Sequence, residues 1–71
     1  MILVTGASGF VGSTVVWRAV AQGRPVRAMV RPAGRLDLLA GLPAESLVRA
    51  DMEDAPSLTR AAEGCDAVVH L

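Results

Sequence analysis

Thr5-Gly6-Ala7-Ser8-Gly9-Phe10-Val11-Gly12 sets three glycines three residues apart, directly after the apolar run Ile2-Leu3-Val4. A fully apolar run with β-branched members fits a strand buried on both faces, as in a parallel sheet. Phe10 to Gln22 reads as a helix: Val11, Val15 and Ala19 fall at i, i+4 and i+8, with Val16 and Val20 beside them. Gly23 is a stop signal for that helix, and Pro25 bars its continuation. Glycines between a strand and a helix have a chemical use. Gly6 permits the tight turn, Gly9 lets the backbone approach a pyrophosphate with no Cβ in the way, and Gly12 lets the helix pack close to the sheet. The helix N-terminus then offers N–H groups and a partial positive charge to the anion, and Ser8 adds a hydroxyl donor. A turn that only needs flexibility would not require three glycines at period three where a strand ends.

The rest of the chain repeats the alternation. Val26 to Val30 reads as a second strand, Arg31-Pro32-Ala33-Gly34 as a loop, and Arg35 to Ala40 as a short helix. Ser46 to Ala50 reads as a third strand. Asp54 is placed to cap a helix through Leu58, Ala61 and Ala62 that ends at Gly64, with Pro56 in its first turn. Asp66 to Leu71, with Ala67-Val68-Val69, reads as a fourth strand. The order β-α-β-α-β-α-β is an α/β pattern of about four parallel strands and three helices, joined by right-handed crossovers. There is no internal repeat, low-complexity segment or interdomain linker.

Composition bounds the partners. At 71 residues the chain is one small domain at most, and its core is small. It is 52% hydrophobic and 20% charged, which is globular composition rather than that of a disordered chain. A net charge of zero gives no electrostatic case for nucleic acid or an anionic membrane surface. No apolar run approaches the roughly 20 residues of a membrane-spanning helix. The start has no positively charged n-region, and the single Cys65 makes no internal disulfide, so the expectation is a cytoplasmic protein.

The segment Thr5-Gly6-Ala7-Ser8-Gly9-Phe10-Val11-Gly12 resembles the T-G-x-x-G-F-x-G fingerprint of the extended short-chain dehydrogenase/reductase superfamily, the NAD-dependent epimerase/dehydratase family of sugar epimerases, dehydratases and reductases. Val30-Arg31-Pro32 resembles the end of the second strand in dihydroflavonol-reductase-like members. Ala50-Asp51-Met52-Glu53-Asp54 resembles the acidic turn after the third strand. Gly64 to Leu71 resembles the approach to the fourth strand. The pattern is nearest to hopanoid-associated sugar epimerases and their reductase-like relatives. The resemblance covers the whole chain but only about the first quarter of the family's length. It implies a partial Rossmann fold with strand order 3-2-1-4 and a substrate domain absent from these residues. It also implies that the fingerprint residues Thr5, Gly6, Ser8, Gly9, Phe10, Val11 and Gly12 hold a dinucleotide.

The cofactor expected is NADP, with NAD possible. Dinucleotide folds that prefer NAD place a carboxylate about 20 residues past the glycines, on the ribose 2′-hydroxyl. From Gly12 to Leu36 there is none, and the end of the second strand carries Arg31. A guanidinium there suits a 2′-phosphate, and Arg35 is near enough in sequence to help. The alternative is that both are ordinary solvated loop charges. In relatives of this kind the acidic side chain at Asp51 and the next backbone N–H, at Met52, contact the adenine; the alternative for Asp51 is a solvated turn. His70 lies at the C-terminal end of the fourth strand, the edge where open α/β sheets bind ligands. It is a candidate cofactor contact, although a lone His is more often structural.

The resemblance places hydride transfer on a Tyr and a Lys four residues apart. This sequence has no Tyr, and its seven basic residues are all Arg. No catalytic residue or metal site is therefore assigned, and the 71 residues are expected to be inactive alone. The first expectation is the cofactor-binding end of an NAD(P)-dependent oxidoreductase or epimerase whose small-molecule substrate is handled only in a full-length parent. The alternatives are a non-enzymatic dinucleotide sensor, an inactive truncated fragment, or a mini-domain that self-associates through an open sheet edge.

Overall fold

A computed structural model describes all 71 residues, Met1–Leu71. Four strands, β1 (Ile2–Val4), β2 (Val26–Val30), β3 (Leu47–Arg49) and β4 (Ala67–Val69), form one parallel sheet in the order β3-β2-β1-β4. This is the expected 3-2-1-4 order. In register, Ile2, Leu3 and Val4 face Val26, Arg27 and Ala28 on one side and Ala67, Val68 and Val69 on the other.

Two α-helices flank the sheet, α1 (Phe10–Ala21) and α2 (Ala55–Ala62). The third helix expected over Arg35 to Ala40 is instead a single 3-10 turn, Asp37–Leu39. Pro32 and Gly34 precede this segment, and Gly41 and Pro43 follow it, which leaves too few residues for an α-helical nucleus. Leu39 alone anchors the turn in the core, and the Trp17 indole N–H donates to the Leu38 carbonyl at 2.8 Å. A second 3-10 turn, Ala44–Ser46, takes the residue expected to open β3.

Strand alternation divides the core into two layers. Val4, Val26, Ala28 and Val30 pack with Val16 and Ala19 of α1, and Leu39 joins them. Leu3 and Met29 point to the opposite face, where Ala50 and Ala61 cover them. The buried stripe of α1 is Gly12, Ser13, Val16 and Ala19, whereas Val11 and Val20 are 60% and 39% exposed. The helix is thus rotated from its most apolar face. Gly12 sets that rotation: a Cβ there would overlap the Gly6 carbonyl oxygen and come within 2.9 Å of Ala7 Cα. Its close approach is to the glycine turn itself rather than to the sheet.

The C-terminus of α1 and the two ends of α2 are held by different contacts. At the C-terminus of α1, Arg24 N–H donates to Ala19 O and Gly23 N–H to Val20 O, with Gly23 at φ +70°, a Schellman closure. At α2, Asp54 occupies the N-cap position, but its side chain makes no capping bond. The Ser57 hydroxyl bonds back to the Asp54 carbonyl at 2.9 Å and accepts from Asp51 N–H at 3.0 Å, which ties the first turn together instead. Arg27 reaches from β2 to the far end of α2 and donates to the carbonyls of Ala61 and Glu63, each at 2.6 Å. A cation there also suits the negative end of the helix dipole. No helix is long and apolar enough to cross a membrane.

Candidate functional site

The C-terminal ends of the strands open into a cleft of about 670 Å³. Its floor is the glycine turn. Gly6 sits at φ +61°, a conformation that side chains strain, and its carbonyl accepts the Gly9 N–H at 3.2 Å. Ala7 N–H reaches across to Met29 O at 3.2 Å, which anchors the turn on β2. A Cβ on Gly9 would meet only the Gly6 carbonyl oxygen, at 3.5 Å. Gly9 is therefore not needed for packing, and its bare backbone faces the cleft.

The N–H groups of Ser8, Phe10, Val11 and Gly12 have no carbonyl partner in the chain. The last three open α1, where the unpaired donors of a helix and its positive dipole end coincide. The first turn of α1 holds no acidic side chain to compete for them. The donor set and the uncrowded Gly9 fit a phosphate or pyrophosphate.

Of the residues read from the sequence, Thr5, Gly6, Ser8, Gly9, Arg31, Arg35, Met52 and His70 all border this cleft. Asp51 does not; it borders a smaller neighbouring cleft with Arg31, Met52 and Glu53. The Asp51 carboxylate accepts Glu53 N–H at 2.9 Å. The Phe10 and Val11 side chains are 78% and 60% exposed, so these two residues offer backbone rather than side chain. Gly12 is buried against the turn. Arg31 is exposed and stands at the mouth of both clefts. Arg35 borders the main cleft, but its guanidinium also meets Asp37 Oδ2 at 2.7 Å, an exposed pair of little energetic weight.

Thr5 is 4% exposed, and its hydroxyl is committed within the protein. It accepts the Leu71 N–H at 3.2 Å and lies 2.8 Å from His70 Nδ1. The Val69 carbonyl lies 3.5 Å away as a further acceptor for the hydroxyl proton, and the direction of the bond to Nδ1 follows the ring tautomer. Sequence reasoning missed Arg49, whose guanidinium gathers the carbonyls of Arg31, Pro32 and Gly34. The one available signal was a basic residue at the end of a strand, two positions before Asp51. It also missed the apolar walls supplied by Met29, Val30 and Ala50. No cluster of His, Cys, Asp and Glu could hold a metal ion.

The profile of the NAD(P)H-binding family matches residues 6–71. Dihydroflavonol 4-reductase of Arabidopsis thaliana is 40% identical over 77 residues, covering 99% of this chain and 20% of that protein. The crystal structure of gox2253 superposes with a TM-score of 0.89 at 38% identity, covering all of this chain and 21% of that one. A short-chain dehydrogenase/reductase superfamily protein from Agrobacterium tumefaciens, solved with bound NAD, superposes at 0.79 and 40% identity, covering all of this chain and 20% of that one. The chain thus spans about a fifth of the length of the relatives it matches. A glycine turn between β1 and α1, a 3-2-1-4 parallel sheet and this likeness along the whole chain agree: the chain belongs to the NAD(P)H-binding family and matches the N-terminal part of the short-chain dehydrogenase/reductases.

Proposed function

We propose that residues 1–71 are the N-terminal portion of an NAD(P)-binding Rossmann domain, holding the cofactor end of an NADP-preferring cytoplasmic oxidoreductase or nucleotide-sugar epimerase/dehydratase. The observation that carries the reading is the set of unpaired N–H groups at Ser8, Phe10, Val11 and Gly12, above a glycine turn open to the cleft. In this reading the pyrophosphate lies on those donors. Gly9 gives it room, and the Ser8 hydroxyl adds a bond. Met52 and Asp51 take the adenine end, and His70 takes the ribose side of the cleft. The cofactor itself supplies the hydride chemistry. These residues bind and orient it and take no part in proton transfer, since the chain contains no Tyr and no Lys. The small-molecule substrate belongs to the parent's remaining length.

Preference for NADP rests on Arg31 at the end of β2, with no carboxylate between Gly12 and Leu36. The structural neighbour with bound NAD shows that the same frame accepts the unphosphorylated cofactor in that protein. Calorimetric titration with NADPH and NADH tests the reading. Arg31→Ala is expected to weaken NADPH about tenfold, the equivalent of roughly 1.4 kcal/mol, and to leave NADH unchanged. Equal affinity of the unaltered chain for both cofactors would remove the preference. Binding of neither would remove the site.

A further inference from the structure

Arg49 ends β3 at the sheet edge, in register with Val30, the last residue of β2. Its Nη1 donates to three carbonyl oxygens of the segment that follows β2: Arg31 at 2.9 Å, Pro32 at 2.8 Å and Gly34 at 3.2 Å. A terminal guanidinium nitrogen carries two hydrogens, so the three acceptors share them. The Arg31 carbonyl also accepts Gly34 N–H at 2.9 Å, which closes a tight turn. A Cβ on Gly34 would lie 3.1 Å from that same oxygen, so the turn is already close to its limit of compactness. Carbonyls of a surface loop ordinarily face water. Here one side chain from a neighbouring strand collects them.

We infer that Arg49 is a positioning residue for cofactor selectivity: by clamping the 31–34 turn it holds the Arg31 guanidinium at the cleft mouth. The inference rests on the proposed reading of Arg31 as the 2′-phosphate contact. The Arg31 side chain is exposed and has no bond of its own to a protein group, so its order derives from the backbone beneath it. A loop that must be ordered on binding takes that entropy from the affinity. NADPH, which engages Arg31 through its 2′-phosphate, is sensitive to that order. NADH offers Arg31 no phosphate and is not.

The test is a double-mutant cycle on the full chain, read as NADPH and NADH dissociation constants. Arg49→Met is expected to weaken NADPH about 5–10-fold and NADH by under about twofold, with no further loss in the Arg31→Ala background. If Arg49→Met does not fold, as judged by its thermal transition, Arg49→Lys takes its place in the cycle. Equal loss for both cofactors would show a purely structural role, and full additivity with Arg31→Ala a direct one; either overturns the inference. If Arg31→Ala alters the NADPH-to-NADH ratio and the Arg49 variant does not, the inference falls and the reading of Arg31 stands. If Arg31→Ala itself leaves the ratio unchanged, the reading falls and takes the inference with it.

Discussion

The Thr5 hydroxyl oxygen lies 2.8 Å from His70 Nδ1, joining the end of β1 to the residue after β4. The same oxygen accepts the Leu71 N–H, and Thr5 N–H donates to Val69 O at 3.0 Å. One buried threonine therefore fastens the edge strand to the centre of the sheet beside the cleft. Thr5→Val keeps the shape and removes the hydroxyl, leaving two polar groups without their partner. The expected loss is about 1–3 kcal/mol in urea unfolding, with Thr5→Ser losing less.

Gly9 and Gly12 differ in the room around them, so substitutions there are expected to separate binding from folding. Gly12→Ala drives a Cβ into the Gly6 carbonyl and is expected to destabilise the chain by about 3 kcal/mol, the upper part of the range for overpacking. Gly9→Ala meets nothing closer than 3.5 Å and is expected to fold normally while losing most affinity for NADPH and NADH alike. A Gly9→Ala chain that binds as well as the native one would show that the cofactor does not cross this turn.

The Met1 ammonium stands 2.8 Å from Asp66 Oδ2, and its hydrogen bond and charge hold the Asp66 carboxyl below the usual carboxylate range. Because the folded value is the lower one, the pair contributes above the unfolded value of about 3.9 and is lost as pH falls through the folded value. The carboxylate is exposed, so added salt weakens the effect. A carbon-13 titration of Asp66 is expected to show the lowered midpoint, and acetylation of the α-amine to return it to the ordinary range.

Both outer strands of the sheet leave an edge unpaired, and on β4 Val68 is 55% exposed on the face that α2 covers elsewhere. With only fifteen of 71 residues buried, the core is small, and an uncovered edge is the natural place for association. Sedimentation is expected to show a mass that rises with concentration, and Val68→Lys to return the chain to monomer. A monomer at every concentration would refute association through β4.

Legibility from the sequence followed distance along the chain. The β1–glycine turn–α1 unit was readable because each of its signals is local: an apolar run, glycines where the backbone turns, a helical period and Gly23 closing the helix. The bounds of β2 were readable for the same reason, between Pro25 and the Arg31-Pro32 turn. Strand order was not contained in those signals; alternation and handedness give parallel crossovers, and the 3-2-1-4 order came from the family resemblance. Arg35 was read beside Arg31 on sequence proximity, yet its nearest partner is the carboxylate of Asp37. Asp54 was read as a capping side chain, but Ser57, one turn on, supplies the bonds.

The sequence by itself determined a glycine turn at the start of a helix, because neighbouring residues dictate dihedral angles and helix ends. Only the tertiary structure decided how α1 is rotated, since Gly12 meets Gly6 across the turn rather than following the apolar stripe. It alone brought Arg27 to the end of α2, Arg49 to the loop after β2, and Thr5 to His70. These partners lie 15 to 65 residues apart and meet through strand register and crossover geometry, which no local spacing encodes.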